Sequence, residues 1–132
     1  MTVRIMLAIA HQRMFESLHA LIDRDPGMEV VTEAHDEQTV LRLVGDFNPD
    51  VAVIDVSMLD RNSFDTVRKM ISVAPATKLL VLSMYSYPEF VDAMFKTGVS
   101  GLLLKDHAFK ELVRAIQKVA NGGIFLSPAI KD

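Results

Sequence analysis

Short apolar runs without a polar break alternate along this chain with segments whose apolar residues recur every three to four positions. Val51-Ala52-Val53-Ile54, Leu79-Leu80-Val81-Leu82 and Leu102-Leu103-Leu104 are such runs. They have the character of strands buried on both faces. The pattern predicts strands over 3–9, 28–33, 51–56, 78–83 and 99–104, and helices over 12–23, 36–47, 63–73, 87–97 and 108–121. Strands alternating with amphipathic helices imply βαβ units and an α/β fold around a parallel sheet. The punctuation agrees. Asp25-Pro26-Gly27 and Asn48-Pro49-Asp50 each end a helix and lead into a strand. Gly98 and Asn121-Gly122-Gly123 stand where helix C-termini favour glycine.

In the last predicted helix, Phe109, Leu112, Val113, Ile116, Val119 and Ala120 fall on one face, with Lys110, Arg114, Gln117 and Lys118 on the other. The first set reads as core and the second as a solvated surface, with a docking face as the alternative. Phe90, Val91, Met94 and Phe95 form a second core stripe whose edge could serve a dimer. Eight methionines read as gap-fillers in that core.

Composition narrows the class. A chain of 132 residues, half of them hydrophobic, makes one domain with a sizeable core. Fourteen basic and seventeen acidic residues leave a net charge of -3, which gives no electrostatic case for nucleic-acid binding by this segment itself. The absence of cysteine excludes disulfides, thiolate catalysis and Cys-based metal sites. No apolar run reaches the ~20 residues that span a bilayer, and the N-terminus lacks a signal-peptide pattern. The expectation is a cytoplasmic protein without membrane contact.

Three apolar runs close on groups with chemistry: Asp55, Ser83 and Lys105. In open α/β sheets the carboxyl edge is where ligands bind. The first strand, Arg4-Ile5-Met6-Leu7-Ala8, instead leads into Ile9-Ala10, which carries no charge.

These residues carry a resemblance that covers essentially the whole chain. The segments are Arg4-Ile5-Met6-Leu7-Ala8 with His11, Asn48-Pro49-Asp50-Val51-Ala52-Val53-Ile54-Asp55, and Lys78-Leu79-Leu80-Val81-Leu82-Ser83-Met84. Gly98 to Asp106 and Ala120 to Pro128 complete the set. Together they resemble a receiver domain of a two-component response regulator, of the kind joined to a LuxR-type helix-turn-helix. The resemblance implies a CheY-like, doubly wound (βα)5 fold with a five-stranded parallel sheet of order 2-1-3-4-5. It implies Asp55 as phosphoacceptor, and Ser83 and Lys105 as the groups that contact the phosphoryl. It further implies a signalling module that is not an enzyme, with a sensor histidine kinase and a second copy of the chain as partners. Residues 1–126 would form the receiver domain, and 127–132 would begin a linker to a C-terminal DNA-binding domain outside this chain.

The chain departs from that pattern at four places. The acid pair that holds Mg²⁺ in the family is replaced by Ile9 and Ala10, so metal binding is expected to be weak or absent. Losing even ~4 kcal/mol of Lewis-acid stabilisation would slow phosphoryl transfer by about three orders of magnitude. The switch aromatic, three residues before the lysine, is Leu102. The turn Ser57-Met58-Leu59-Asp60-Arg61-Asn62-Ser63 lacks the usual Pro and Gly, and Asp60 is a loop acid that could turn towards the site. The last helix begins at Ala108-Phe109 rather than Ser-Pro, which would pass capping to Asp106.

With one acid and one lysine at the edge, a direct Asp55–Lys105 pair becomes plausible. Asp55 would then be a structural acid, and the domain an atypical module without efficient Mg²⁺-dependent phosphorylation. The alternative is a conventional receiver phosphorylated on Asp55. A flavodoxin-like enzyme shares the sheet order but lacks a cofactor loop and an acid/base pair. His11 and His35 follow adjacent strands without metal-ligand spacing and read as incidental; no metal site is expected.

Overall fold

The computed structural model describes residues 2–59 and 63–130. Among these residues six parallel strands form one sheet: β1 (Val3–Ala8), β2 (Met28–Ala34), β3 (Val51–Asp55), β4 (Lys78–Ser83), β5 (Gly101–Leu104) and β6 (Phe125–Leu126). Their spatial order is β2-β1-β3-β4-β5-β6. The expected five-stranded sheet is therefore corrected to six. The sixth strand is two residues long, too short to raise a periodicity signal, and forms only because β5 offers it an edge.

Five α-helices among the described residues cover the sheet: α1 (Gln12–Asp23), α2 (Glu37–Phe47), α3 (Ser63–Val73), α4 (Pro88–Lys96) and α5 (Ala108–Ala120). Because successive strand residues face opposite sides, each apolar run feeds two cores. Met6, Ala8, Ala52, Ile54, Val81 and Leu102 pack with Val40, Val44, Met70 and Met94 from α2, α3 and α4. Ile5, Leu7, Val51, Val53, Leu82 and Leu103 pack with Leu18, Ile22, Leu112 and Ile116 from α1 and α5. All five residues of β3 are buried, as expected of a central strand with helices on both sides.

Local chemistry sets the helix ends. Asp36 caps α2, its carboxylate accepting from the Thr39 N–H at 2.8 Å. That backbone bond holds its carboxyl below the usual carboxylate range. Asn48 ends the same helix in the left-handed conformation, with φ of 44°. Pro88 opens α4, where its missing N–H costs no hydrogen bond.

Helix α5 corrects two further expectations. Its buried residues are Ala108, Glu111, Leu112, Ala115, Ile116 and Val119, whereas Phe109 is 55% exposed. At about 100° per residue, Ala108, Leu112, Ala115 and Val119 centre on one line. The small alanines let the helix approach the sheet and turn Phe109 outward. His107, not Asp106, occupies the N-cap position and makes no side-chain cap; Asp106 lies in the single 3-10 turn between β5 and α5.

Candidate functional site

Strand register brings the candidate groups to one edge. Asp55 stands opposite Leu82, so Ser83 lies one residue beyond it; Ser83 stands opposite Leu104, so Lys105 follows in turn. Each chain leaves the sheet just there, which frees the side chain from the core.

Asp55 is fully buried. Its Oδ1 accepts two hydrogen bonds from Ser57, one from the backbone N–H at 3.0 Å and one from the hydroxyl at 2.7 Å. The Lys105 ammonium lies 3.0 Å from Oδ2. This contact is a close ion pair rather than an aligned hydrogen bond, for Oδ2 has no hydrogen-bond partner among the described residues. Lys105 Nζ instead donates to the Ser57 hydroxyl at 3.0 Å. Asp55, Ser57 and Lys105 thus form a closed triangle, with the lysine side chain only 10% exposed. An unpaired carboxylate at this depth would be costly, and the ammonium offsets that cost.

Ser57 was not singled out by the sequence. The available signal was a serine two residues after an acid, a spacing at which side chain and backbone close a local turn. Ser83 is 2% exposed and lies at the same edge. Its hydroxyl is held locally: it accepts from the Tyr85 N–H at 2.8 Å and lies 3.1 Å from the Tyr85 carbonyl oxygen, to which it donates. A cavity of about 250 Å³ beside the triangle is bounded by Asp55, Ser57, Ser63, Ser83 and Tyr85. Tyr85 and Tyr87 meet Phe90 with ring centroids 5.5 and 5.8 Å apart, so aromatic groups flank the site from the loop before α4. Leu102, which the resemblance reads as the substituted switch aromatic, is fully buried in the core shared with α4.

Ile9 is fully buried and Ala10 exposed at the end of β1. His35 Nδ1 lies 3.1 Å from the Ile9 carbonyl oxygen, while His11 precedes α1 without capping it. Among the described residues there is no group of three or more His, Cys, Asp or Glu side chains able to hold a metal ion. Asp60, Arg61 and Asn62 lie outside the described residues.

A family model for the response regulator receiver domain matches residues 5–117, and the chain belongs to that family. It is 33% identical over 128 residues to the transcriptional regulatory protein DegU of Brevibacillus brevis, covering 97% of this chain and 54% of that protein. With the nitrate/nitrite response regulator protein NarL of Escherichia coli (strain K12) it shares 29% identity, over 96% of this chain and 58% of the relative. The crystal structure of a LuxR-family two-component response regulator from Aurantimonas sp. SI85-9A1 superimposes with a TM-score of 0.90 at 32% identity. That match covers 98% of this chain and 93% of the other. The chain thus spans little more than half the length of these two curated relatives. No described helix is long and apolar enough to cross a membrane.

Proposed function

We propose that this receiver domain is a signalling and dimerisation module of a LuxR-type transcription regulator that works without efficient Mg²⁺-dependent phosphorylation. Asp55 is the phosphoacceptor position, with Ser83 and Lys105 in the phosphoryl-contacting positions. The observation that carries the reading is the triangle at Asp55: a fully buried carboxylate whose charge is already met by Lys105 at 3.0 Å and whose Oδ1 is already bonded to Ser57. Mg²⁺ demands near-octahedral oxygen ligation. With Ile9 and Ala10 after the first strand, the donor set does not fit that ion. The cation facing Asp55 is instead the ammonium. Ser83, committed to the Tyr85 backbone, is held in a local turn rather than towards Asp55.

On this reading the output is a change in association between copies, passed to a DNA-binding domain that follows in the full-length regulator. DNA contact belongs to that domain, and a sensor histidine kinase remains a partner by docking. The test is incubation with acetyl phosphate and Mg²⁺ followed by intact-mass measurement. Unmodified mass over the time in which a conventional receiver is fully converted is the expected result. Rapid stoichiometric gain of one phosphoryl group, lost in Asp55→Asn, would establish a conventional phosphoaccepting receiver instead.

A further inference from the structure

Residues 127–130, which read from sequence as the start of a linker, are packed against the domain together with the strand that precedes them. Phe125 and Leu126 pair with Gly101 and Leu102 as the sixth strand. The Phe125 N–H donates to the Ser100 carbonyl and the Ser127 N–H to the Leu102 carbonyl, each at 3.0 Å. Beyond the strand, Ser127 is fully buried and its hydroxyl bonds to Glu111 of α5, itself only 8% exposed. The chain then turns, the Ile130 N–H donating to the Ser127 carbonyl at 2.9 Å, and Ile130 enters the core that contains Leu102 and Met94.

Two sequence features help to seat this segment. A Cβ at Gly101 would lie 2.6 Å from Leu80 Cδ1 of β4 and 3.1 Å from the Phe125 carbonyl oxygen, so glycine here both makes room for the β4 side chain and lets β6 lie close to β5. Glu111 breaks the apolar face of α5 at a buried position, where an unpartnered carboxylate would be costly; Ser127 supplies its partner.

We infer that residues 125–130 are a strap that reports the state of the Asp55–Lys105 edge to whatever follows Ile130. The four-residue β5 is the link. Its carboxyl end leads directly into Lys105, tied to Asp55 and Ser57, and the carbonyl of Leu102 holds the strap. In a receiver that carries leucine at the switch position, no aromatic side chain is present to swing. The backbone of the same residue is bonded to the segment leading out of the domain. A shift of β5 when the ion pair opens moves the strap with it. The inference does not depend on whether Asp55 accepts a phosphoryl group.

The experiment is residue-resolved amide hydrogen exchange by NMR on the whole chain, comparing the unmodified protein with Lys105→Met and, as an isosteric second probe, Asp55→Asn. Opening the ion pair is expected to speed exchange at Ser127 and Ile130 at least about tenfold beyond any change at Ile5 and Leu7, which read global opening. In the reverse direction, Ser127→Ala, which leaves the triangle's own side chains untouched, should alter exchange at Leu104 and Lys105, since coupling is reciprocal. If Ser127 and Ile130 change only in step with Ile5 and Leu7 in both charge variants, the strap is structural and the inference fails. No phosphodonor is used, so this outcome is independent of the phosphorylation test.

Discussion

Lys105 and Ser57 hold the same carboxylate, but with different weight. Removing the ammonium leaves Asp55 as a buried charge without a counterion, and breaking such a pair from one side costs about 3–5 kcal/mol. Removing the Ser57 hydroxyl loses the bond it donates to Oδ1 and the one it accepts from Lys105, about 1 kcal/mol each, while the Ser57 N–H still donates to Oδ1 and the ion pair stays. Urea unfolding followed by far-UV circular dichroism should therefore rank Lys105→Ala well below Ser57→Ala in stability. The double variant Asp55→Asn/Lys105→Met should recover most of the loss. Equal midpoints for the two single variants would show that the ammonium is not neutralising Asp55. Asp55, Ser83 and Lys105 were legible because each closes an apolar run at one sheet edge. Ser57 was not, because its role comes from a turn that closes only once β3 is in place. Nor could the sequence decide that the Ser83 hydroxyl would be held by the Tyr85 backbone.

At the level of elements, apolar periodicity located all five helices and the five longer strands, since both periods are set by backbone geometry. It placed Leu112, Ile116 and Val119 of α5 inward and Lys110, Arg114, Gln117 and Lys118 outward as found, and misplaced only Phe109. The apolar stripe read from sequence included Phe109, yet the buried line runs through Ala108, Leu112, Ala115 and Val119, which leaves Phe109 at its edge. Phe109→Ser should accordingly change stability by no more than about 0.5 kcal/mol. Leu112→Ala should cost about 2–5 kcal/mol, because Leu112 is fully buried. Chemical denaturation of the two variants checks the assignment, and a large loss from Phe109→Ser would return Phe109 to the buried face. Glu111 is the element-scale counterpart of Ser57: a polar residue in a buried position, uninterpretable until its partner arrives from sixteen residues along the chain.

For the molecule as a whole, both cores share one sheet, and every strand from β1 to β5 contributes to each. Such an arrangement should unfold as one unit. The chain has no tryptophan, and its two tyrosines, Tyr85 and Tyr87, both lie in the loop beside the site. Tyrosine fluorescence therefore reports the site and circular dichroism the helices. Their urea transitions should coincide; an earlier fluorescence transition would mean that the loop before α4 opens separately. The sequence by itself determined the α/β class, the order of elements, the family resemblance and the edge where Asp55, Ser83 and Lys105 meet. All of these follow from local periodicity and from where apolar runs stop. Tertiary structure alone decided that Ser57 joins Asp55 and Lys105 in one triangle, that α5 turns Phe109 to solvent, and that the chain returns as a sixth strand. Those outcomes depend on contacts between residues far apart in sequence, which no local pattern encodes.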